Sequence, residues 1–391
     1  IDFGSVAATD NIITEINTLA AQSGITSITG TLTSVSAAQA DALSSSLSSS
    51  NSTINFTVDE ALTVAQAAGL LSHTDTDNAA IQFSAGISDS LSAYATSGGT
   101  TTNLNNIITE DTDVAATVTG TMSTAQNITD LNALATKFDD HSGTIVATFS
   151  GTKDKLYNSS SSAAILGTST GDSIGITISD AVSPNEWAAI SAKTGSAVTA
   201  NGGFSAALSE YATGGNTTAN WNSAVAGPNA AKSVTITGTL GSGDITNLNA
   251  LAGDADHTGN IISATISAQL AQYGVGTLAL SGAKDTVAVT VTDALTNGNI
   301  ADLNTLKGKT QGVVTVDGIS ATAAQLATLS TDTSDAVTMT ASGDSTVAEA
   351  IALVEHTNAL AKITIADISD GQNNVSGAGI ASNATGLATL K

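Results

Sequence analysis

The chain has 391 residues, with 34 acidic against 10 basic side chains, a formal net charge of −24 and no cysteine. Nucleic acid and anionic membrane surfaces are excluded as expected partners, because both are attracted by Lys/Arg clusters and the sequence has none. The lack of cysteine excludes disulfides and thiolate metal sites, and no apolar run approaches the ~18 residues that membrane insertion requires.

The composition favours a thin, repeated core over a thick globular one. Only 3% of the residues are aromatic and only 2 are Pro, while 41% are hydrophobic. Ala, Val, Ile and Leu therefore fill most of the interior, and a core of such side chains is expected to repeat along an axis. The chain begins with Ile1 and not with Met, as expected of a processed mature chain or of a piece of a longer one.

Short segments in which Thr alternates with β-branched residues recur along the whole chain. This alternation predicts strands with one buried face. Neighbouring segments mostly lie 22 to 37 residues apart, commonly 26 or 27. The predicted strands lie near Ile28, Ile54, Ile81, Val118, Ile145, Ile176, Val198, Ile236, Ile261, Val289, Val314, Val337 and Ile363.

Segments with helical spacing lie between the predicted strands. In residues 128–138, apolar side chains recur every three or four residues and so share one helical face. Residues 36–43, 322–329 and 348–354 have similar patterns, with Ser, Thr or Asp available as N-caps. Each helix is expected to span only two or three turns, so its stability depends on tertiary packing.

One stretch of sequence occurs twice, 117 residues apart. Asn127–Phe149 and Asp244–Ile266 each contain I-T-(D/N)-L-N-A-L-A, then D-H-(S/T)-G, then a predicted strand. A shorter third version, I-A-D-L-N-T-L, begins at Ile300. Upstream, Leu91–Thr96 matches Leu208–Thr213 at the same offset. A fixed period of this kind indicates a repeat architecture.

The repeat predicts an α/β or mainly β fold, namely an elongated solenoid of strand-plus-short-helix units of about 27 residues. We expect one continuous solenoid over residues 1–391, with super-repeats at approximately 1–85, 86–202, 203–320 and 321–391. Tandem β-sandwich domains are the alternative architecture. A pure β-helix comes third, because the L-N-A-L segments have helical spacing.

Residues that could bind a metal fit turns better than a metal site. Each of the four histidines lies beside acids, shortly before a predicted strand: His73, His141, His257 and His356. Coils stacked at ~4.8 Å would place repeat-related histidines too far apart to share an ion. Asp-rich turns at residues 74–78, 110–113 and 331–335 offer oxygens to calcium, but they match no calcium-binding motif, and we expect solvated turns. No cofactor is predicted.

The sequence contains no recognisable catalytic arrangement. GxSxG, HExxH and GxxxxGK[ST] are all absent, so the chain is not predicted to be an enzyme. Five aromatic residues could line a sugar site: Trp187, Trp221, Tyr94, Tyr211 and Tyr273. Tyr94 and Tyr211 occupy equivalent repeat positions, however, which favours a role in packing.

Units of the form strand, I-x-D-L-N-x-L, strand, rich in Thr, Ser, Ala and Asp, resemble the repeats of very large secreted or cell-surface proteins of marine bacteria, cyanobacteria included, and of related phage fibres. The resemblance covers most of the chain and is one of composition and rhythm. It implies an extracellular, non-catalytic protein that serves as a surface coat, filament or adhesive stalk. Many such proteins carry a Gly-Asp calcium nonapeptide, which this chain lacks.

The predicted function is therefore a structural repeat protein, extracellular or on the cell surface, that associates with itself end to end. The physical reason is that an open solenoid exposes unpaired backbone at its first and last coils. The residues predicted to mediate self-assembly are Ile1, Phe3, Ile380, Leu387 and Leu390. The alternative is an adhesin or phage tail-fibre module whose partners are cell-surface glycans.

Overall fold

The structure of the chain is a computed structural model that describes residues 1–43, 47, 52–72, 80–158, 163–164, 167, 171–254, 259–358 and 362–369. It shows a mixed α/β protein whose larger sheets are parallel. The chain divides into two units. Unit 1 comprises Ile1–Asp180 and Glu186–Asn201, and unit 2 comprises Ala181–Asn185 and Gly202–Lys391.

Unit 1 contains two parallel sheets in which neighbouring strands follow one another along the chain. Its strands are β1 (Asp2–Ala7), β2 (Ile28–Val35), β3 (Ser52–Val58), β4 (Ile81–Phe83), β5 (Ile87–Ser90), β6 (Ala95–Thr96), β7 (Gly99–Thr100), β8 (Ala116–Met122), β9 (Ile145–Gly151), β10 (Tyr157–Asn158), β11 (Ala163–Ala164), β12 (Ser173–Ile178) and β13 (Val198–Ala200). The first sheet has the order β1-β2-β3-β4 and the second β5-β8-β9-β12-β13. β6 with β7 and β10 with β11 form short antiparallel pairs.

Short helices lie in the connections between the parallel strands. The helices of unit 1 are α1 (Asp10–Ala20), α2 (Ala37–Ala42), α3 (Val64–Ser72), α4 (Leu91–Tyr94), α5 (Thr102–Glu110) and α6 (Ala125–Asp139), with a 3-10 helix at Lys153–Lys155. A further helix, α7 (Pro184–Ser191), contains residues of both units. Parallel neighbours need such crossover connections, because a tight turn can join only antiparallel strands.

Unit 2 contains one larger parallel sheet, again in chain order. Its strands are β14 (Phe204–Ala206), β15 (Ala212–Thr213), β16 (Asn216–Thr217), β17 (Ser233–Leu240), β18 (Ile261–Ala268), β19 (Thr286–Val291), β20 (Leu295–Thr296), β21 (Val314–Ala321), β22 (Ala336–Ser345) and β23 (Ile363–Ile368). The order is β14-β17-β18-β19-β21-β22-β23, and β20 also pairs with β21. β15 and β16 form an antiparallel pair.

The helices of unit 2 are as short as those of unit 1. They are α8 (Leu208–Tyr211), α9 (Ala219–Ala224), α10 (Ile245–Ala252), α11 (Ile300–Lys307), α12 (Ala323–Leu326) and α13 (Val347–Ala352), with 3-10 helices at Gly227–Asn229, Ser242–Asp244, Leu270–Tyr273, Asn297–Asn299 and Leu353–His356.

The core of each unit lies between one face of its sheets and the apolar side of the helices. In β19, Val287, Val289 and Val291 are buried, while the residues between them are partly exposed. Leu131 and Leu134 of α6 are fully buried on the helical side. This two-layer arrangement explains why Val, Ile, Leu and Ala suffice as core residues: no side chain has to span a thick interior.

Side-chain caps define where the short helices begin. The Ser36 hydroxyl accepts a hydrogen bond from the Gln39 backbone N–H, and the Gln39 side-chain oxygen accepts one from the Ser36 backbone N–H. The same reciprocal box is formed by Thr124 with Asn127, Thr322 with Gln325 and Thr346 with Glu349. Such boxes satisfy N–H groups that a helix leaves without partners in its first turn. At 15 residues, α6 is longer than the two or three turns expected from the sequence.

The side chains at the two polar positions of the I-x-(D/N)-L-N-x-L motif accept hydrogen bonds from backbone N–H groups of neighbouring segments. At the first position, Asp130 accepts from the Gly98 N–H at 2.7 Å and Asn247 from the Gly215 N–H at 2.9 Å. At the second position, an amide oxygen accepts from a later backbone N–H in three places: Asn132 with Gly167, Asn249 with Ala279 and Asn304 with Ser330. α6 and α10 are thereby tied to the segments before and after them, and α11 to the segment after it.

The 117-residue duplication is present in the structure as well as in the sequence. The element order β5-α4-β6-β7-α5 of unit 1 recurs as β14-α8-β15-β16-α9 in unit 2. The buried Tyr94 hydroxyl donates to the Thr117 carbonyl at 3.0 Å, and the buried Tyr211 hydroxyl donates to the Thr235 carbonyl at 3.3 Å. The duplicated segments therefore have matching local structure, one copy in each unit.

In each unit, a set of buried polar side chains links the start of one strand to the backbone of an earlier strand. We call it the polar ladder, and it consists of Asp111, Asp172, Thr194, Asp285, Thr310, Asp335 and Thr357, each at most 6% exposed. Each residue precedes a strand and bonds the backbone of an earlier one. The carboxylates accept from N–H groups of Phe83, Ile145, Ile262 and Val314, and the hydroxyls bond the backbone of Ile174, Val287 and Val337.

Carboxylates and hydroxyls alternate along the ladder in unit 2. Asp285, Thr310, Asp335 and Thr357 precede β19, β21, β22 and β23 in turn. Strands in a sheet lie ~4.8 Å apart, so carboxylates on adjacent coils would repel each other strongly in a buried environment. A hydroxyl between them removes that repulsion and still supplies a hydrogen-bonding group.

The structure confirms the predicted strand positions and corrects the alternatives. All of the predicted strand positions fall within strands, and the α/β assignment is confirmed. Tandem β-sandwich domains are wrong, because sandwich sheets are antiparallel and these are parallel with helical connections. The helices also rule out a pure β-helix. A single continuous solenoid over 391 residues, with its super-repeats, stays a prediction.

Replacing Asp335 by Ala is expected to lower the free energy of unfolding by about 3–5 kcal/mol. The carboxylate is fully buried and accepts from the Val314 and Asp332 N–H groups. It also pairs with the Lys307 ammonium at 2.8 Å, and all three donors would lose this acceptor. Asp317→Ala, at an exposed site on β21, is the control and should change stability by less than about 0.5 kcal/mol. Urea denaturation that gives equal stabilities for the two variants would contradict a structural role for the ladder.

Candidate interaction surfaces

The first predicted assembly residues, Ile1 and Phe3, lie on an edge strand. β1 pairs with β2 on one side, and no strand among the described residues pairs with its other side. Ile1 is 52% exposed, and its carbonyl accepts from the Thr29 N–H at 2.8 Å. Phe3 is half-buried because its ring lies over Gly30, where an added Cβ would come within 2.5 Å of it. The Phe3 ring therefore packs against β2, although its own strand lies at the edge of the sheet.

β23 is the last strand of the sheet in unit 2 and forms one of its edges. It pairs with β22, and no strand in the described part of the chain adds to its far side. Ile363 and Ile365 are half-buried and Ile368 is 36% exposed, so the apolar side chains of β23 are more exposed than those of the strands before it in the sheet. The remaining predicted assembly residues lie outside the described residues: Ile380, Leu387 and Leu390.

Each unit also carries a sheet face that its helices do not cover. We call this the open face. In unit 1 it comprises Thr117, Thr119, Thr121, Val146, Thr148, Ser150, Ser173, Gly175, Thr177 and Thr199. In unit 2 it comprises Ser233, Thr235, Thr237, Thr239, Ile261, Ser263, Thr265, Ser267, Thr286, Ala288, Thr290, Val313, Thr315, Asp317, Ala336, Thr338 and Thr340. Asp317 is the only charged residue among them, and two further exposed acids, Asp344 on β22 and Asp367 on β23, lie on the same sheet of unit 2.

The hydroxyl groups of the open face are in register from strand to strand. In unit 2, Thr235, Ser263 and Thr286 are direct partners on β17, β18 and β19, and the last two hydroxyls lie 2.6 Å apart. The Thr-x-Thr alternation that predicted the strands also defines this face, but sequence reasoning did not identify it as a surface. The available signal was the repetition of Thr and Ser at alternate strand positions.

Exposed large hydrophobic side chains fall on these same surfaces. Among the described residues they are Ile1, Val146, Ile261, Val313 and Ile368. Ile1 directly precedes β1 and Ile368 ends β23, whereas the other three lie on the open faces. Edge strands and open faces are therefore the candidate interaction surfaces of this chain.

The aromatic residues considered for a sugar site are buried, which confirms the packing interpretation. Trp221 contacts Phe204 and Tyr211 edge to face, with ring centroids 5.2 and 5.1 Å away. Trp187 is 8% exposed, and its indole N–H donates to the Val198 carbonyl. Burial raises the pKa of the three core tyrosines Tyr94, Tyr211 and Tyr273 above the usual value, so they serve as neutral hydrogen-bond donors.

The described histidines make turn contacts, as expected from the sequence. His141 follows α6, and its N–H donates to the Phe138 carbonyl, while Nδ1 of His356 lies 3.0 Å from the Thr331 carbonyl oxygen. His73 and His257 lie outside the described residues. Within the described part of the chain, no group of three or more His, Asp or Glu side chains is placed to hold a metal ion.

The expectation of solvated Asp turns is wrong for two of the turns. Asp111 and Asp335 belong to the buried polar ladder, whereas Asp113 and Asp332 in the same turns are exposed. Hydrogen bonds from Ser334, with a contribution from Lys307, hold the pKa of Asp332 below its usual value. The third turn, residues 74–78, lies outside the described residues.

Asp111 lies beside a surface cavity of about 300 Å³, lined in part by Phe83 and Asp113. Burial, with a further contribution from the neighbouring Asp113, raises the pKa of Asp111 from 3.8 to about 6, although the hydrogen bond from the Phe83 N–H acts to lower it. The carboxyl therefore titrates in a pH range where ordinary aspartates are already ionised.

Asp111 is expected to make folding pH-dependent. Its folded pKa of about 6 exceeds the ordinary 3.8, so its contribution to stability is complete below pH 3.8 and is lost as the pH rises through 6. Asp111→Asn keeps an acceptor for the Phe83 N–H without a charge. In urea denaturation from pH 4 to 7, the free energy of unfolding of the variant should rise relative to that of the natural chain as the pH rises, by at most ~3 kcal/mol.

The neighbouring acid supplies the control for this pH dependence. Asp113→Asn removes a charge beside Asp111 and so lowers the pKa of Asp111. The free energy of unfolding of this variant should therefore change less between pH 4 and 6 than that of the natural chain. A stability difference between Asp111→Asn and the natural chain that does not change with pH would contradict the assignment.

No helix in the described part of the chain is both long and apolar enough to cross a membrane. Comparison of the chain with protein-family models, with curated proteins and with solved structures gave no match.

Proposed function

We propose that this chain is a non-catalytic structural repeat protein that forms an extracellular filament, coat or stalk by end-to-end self-association. In this proposal its coils form an open α/β solenoid, and its partner is another copy of itself. The observation that supports it most is that the parallel strands of each unit follow chain order and that β1 and β23 each pair on one side only among the described residues.

Parallel order gives the association a direction. β1 is the first strand of its sheet and β23 is the last strand of its own sheet, so β23 of one copy can pair in parallel with β1 of the next. Contacts between two different surfaces of the same chain generate open filaments when the rotation does not close a ring. Edge strands present rows of N–H and C=O groups that favour such pairing.

Apolar side chains on both edges add to the backbone pairing. Phe3 and Val6 are half-buried on β1, and Ile363 and Ile365 are half-buried on β23. Stacking one coil on the next would cover these residues, as the coils within each unit cover one another. Burial of apolar area contributes about 25 cal/mol per Å².

The net charge of −24 opposes association and makes it dependent on salt. Acidic chains repel one another over the Debye length, which is ~10 Å at 0.1 M ionic strength and shorter at higher salt. Assembly should therefore increase with ionic strength, which fits a saline extracellular setting. An adhesin or phage tail fibre that binds glycans has less support, because the aromatic residues able to stack on sugars are buried.

Ile368→Glu is expected to prevent filament formation. The substitution adds a charge at the end of β23, and the proposed pairing of β23 with β1 of the next copy would have to bury that charge. Charged side chains on edge strands commonly prevent strand pairing between molecules. Ala301→Glu is the matched control, since it adds the same charge at an exposed position of α11. Electron microscopy and sedimentation at low and high salt should show filaments for the natural chain and the control only. Monodisperse particles of the natural chain under all conditions would refute end-to-end assembly.

A further inference from the structure

Asn260 occupies the position that the polar ladder takes in the later coils of unit 2. It lies 25 residues before Asp285, the same step that separates Asp285, Thr310 and Asp335. Like Asp285 and Asp335, it directly precedes a strand, and it is 3% exposed. Spacing and burial therefore identify Asn260 as the ladder residue of the coil that contains β18.

The Asn260 side chain differs from the ladder residues in its hydrogen bonds. Neither Oδ1 nor Nδ2 has a hydrogen-bond partner among the described residues. The register of β17 with β18 places the Lys232 N–H opposite Asn260, and this group donates to the Asn229 carbonyl at 3.3 Å. At the corresponding place one coil later, Asp285 accepts from the Ile262 N–H. The backbone donor that a ladder residue would use is therefore already engaged at Asn260.

Asn260 also lines a small cavity at the start of β17 and β18. The cavity has a volume of about 10 Å³, and its other lining residues are Trp221, Val234, Leu251, Ala252, Ile262 and Lys284. This volume is about the room that one water molecule needs. A larger ligand does not fit.

We propose that this cavity is a binding site for one water molecule, which hydrogen-bonds to the Asn260 amide in place of a direct ladder contact. A primary amide offers both a donor and an acceptor. A cation would satisfy only Oδ1 and an anion only Nδ2, whereas water both donates and accepts. A buried water needs about two to four polar partners, of which the Asn260 amide supplies two.

The bound water explains why this coil carries an amide where the neighbouring coil carries the carboxylate of Asp285. With the Lys232 N–H engaged, a carboxylate at position 260 would be a buried charge without its ladder donor, which is costly. An amide with a water leaves no buried charge and satisfies both polar atoms. The site lies within unit 2, so it does not depend on self-association of the chain.

The direct test is a high-resolution crystal structure of the full chain, grown once without and once with bromide. It should show one water within hydrogen-bonding distance of both Oδ1 and Nδ2 of Asn260. A site without a water, or amide atoms bonded to other protein groups instead, would overturn the proposal. An anomalous bromide peak at the site would assign it to an anion and would overturn the proposal as well.

A pair of leucine variants tests the same site in solution. Asn260→Leu replaces the polar atoms by an apolar group of similar size, so the cavity should lose its water. Asn222→Leu, at an exposed position of α9, is the matched control. Magnetic relaxation dispersion of water nuclei, which counts long-lived internal waters, should give one fewer for Asn260→Leu and an unchanged number for the control. An unchanged number in folded Asn260→Leu would contradict the assignment, and the crystal structure of the natural chain decides the matter if this variant does not fold.

Discussion

The buried backbone groups at the start of each strand impose the constraint on which the rest of the structure depends. An N–H group removed from water must find an acceptor, and leaving it without one costs about 1–3 kcal/mol. In both units this acceptor is often the side chain of a later coil, as with Asp172 for Ile145 and Asp335 for Val314. Because each such side chain fits one position of an earlier strand, the polar ladder fixes the register between coils that the small apolar core specifies only weakly.

The strands and the duplication could be predicted from sequence because they depend on the local alternation of Thr with apolar residues and on a repeated sequence segment. Thr-x-Val patterns identify a half-buried strand in any surroundings, and L-N-x-L identifies a short helix. The environment of a single acid cannot be read in this way. Asp332 and Asp335 lie in one turn and both pair with Lys307, yet the first is exposed and the second fully buried, because Asp335 also accepts from the Val314 N–H of the preceding strand. The spacing of Asp285, Thr310 and Asp335, 25 residues at each step, was the available signal.

The two candidate surfaces are consequences of this way of building a core. A sheet that grows by one strand per coil has edges at its first and last coils, and helices on only one side leave its other face open. The acids of the chain lie mainly in turns, on helices or in the ladder, whereas the open faces are almost free of charge. The chain thus has a strongly acidic overall charge, which favours solubility, and in the proposed assembly copies meet at its strand edges.

The central claim is that the stack of strands continues from one copy to the next. Fibre diffraction from aligned assemblies measures this directly, because strands that run across the filament axis give a meridional reflection at ~4.7–4.8 Å. We expect that reflection, with sharpness that increases with filament length and decreases in Ile368→Glu. Ordered filaments without a meridional reflection at this spacing would show that the copies join by other surfaces, and would contradict the account.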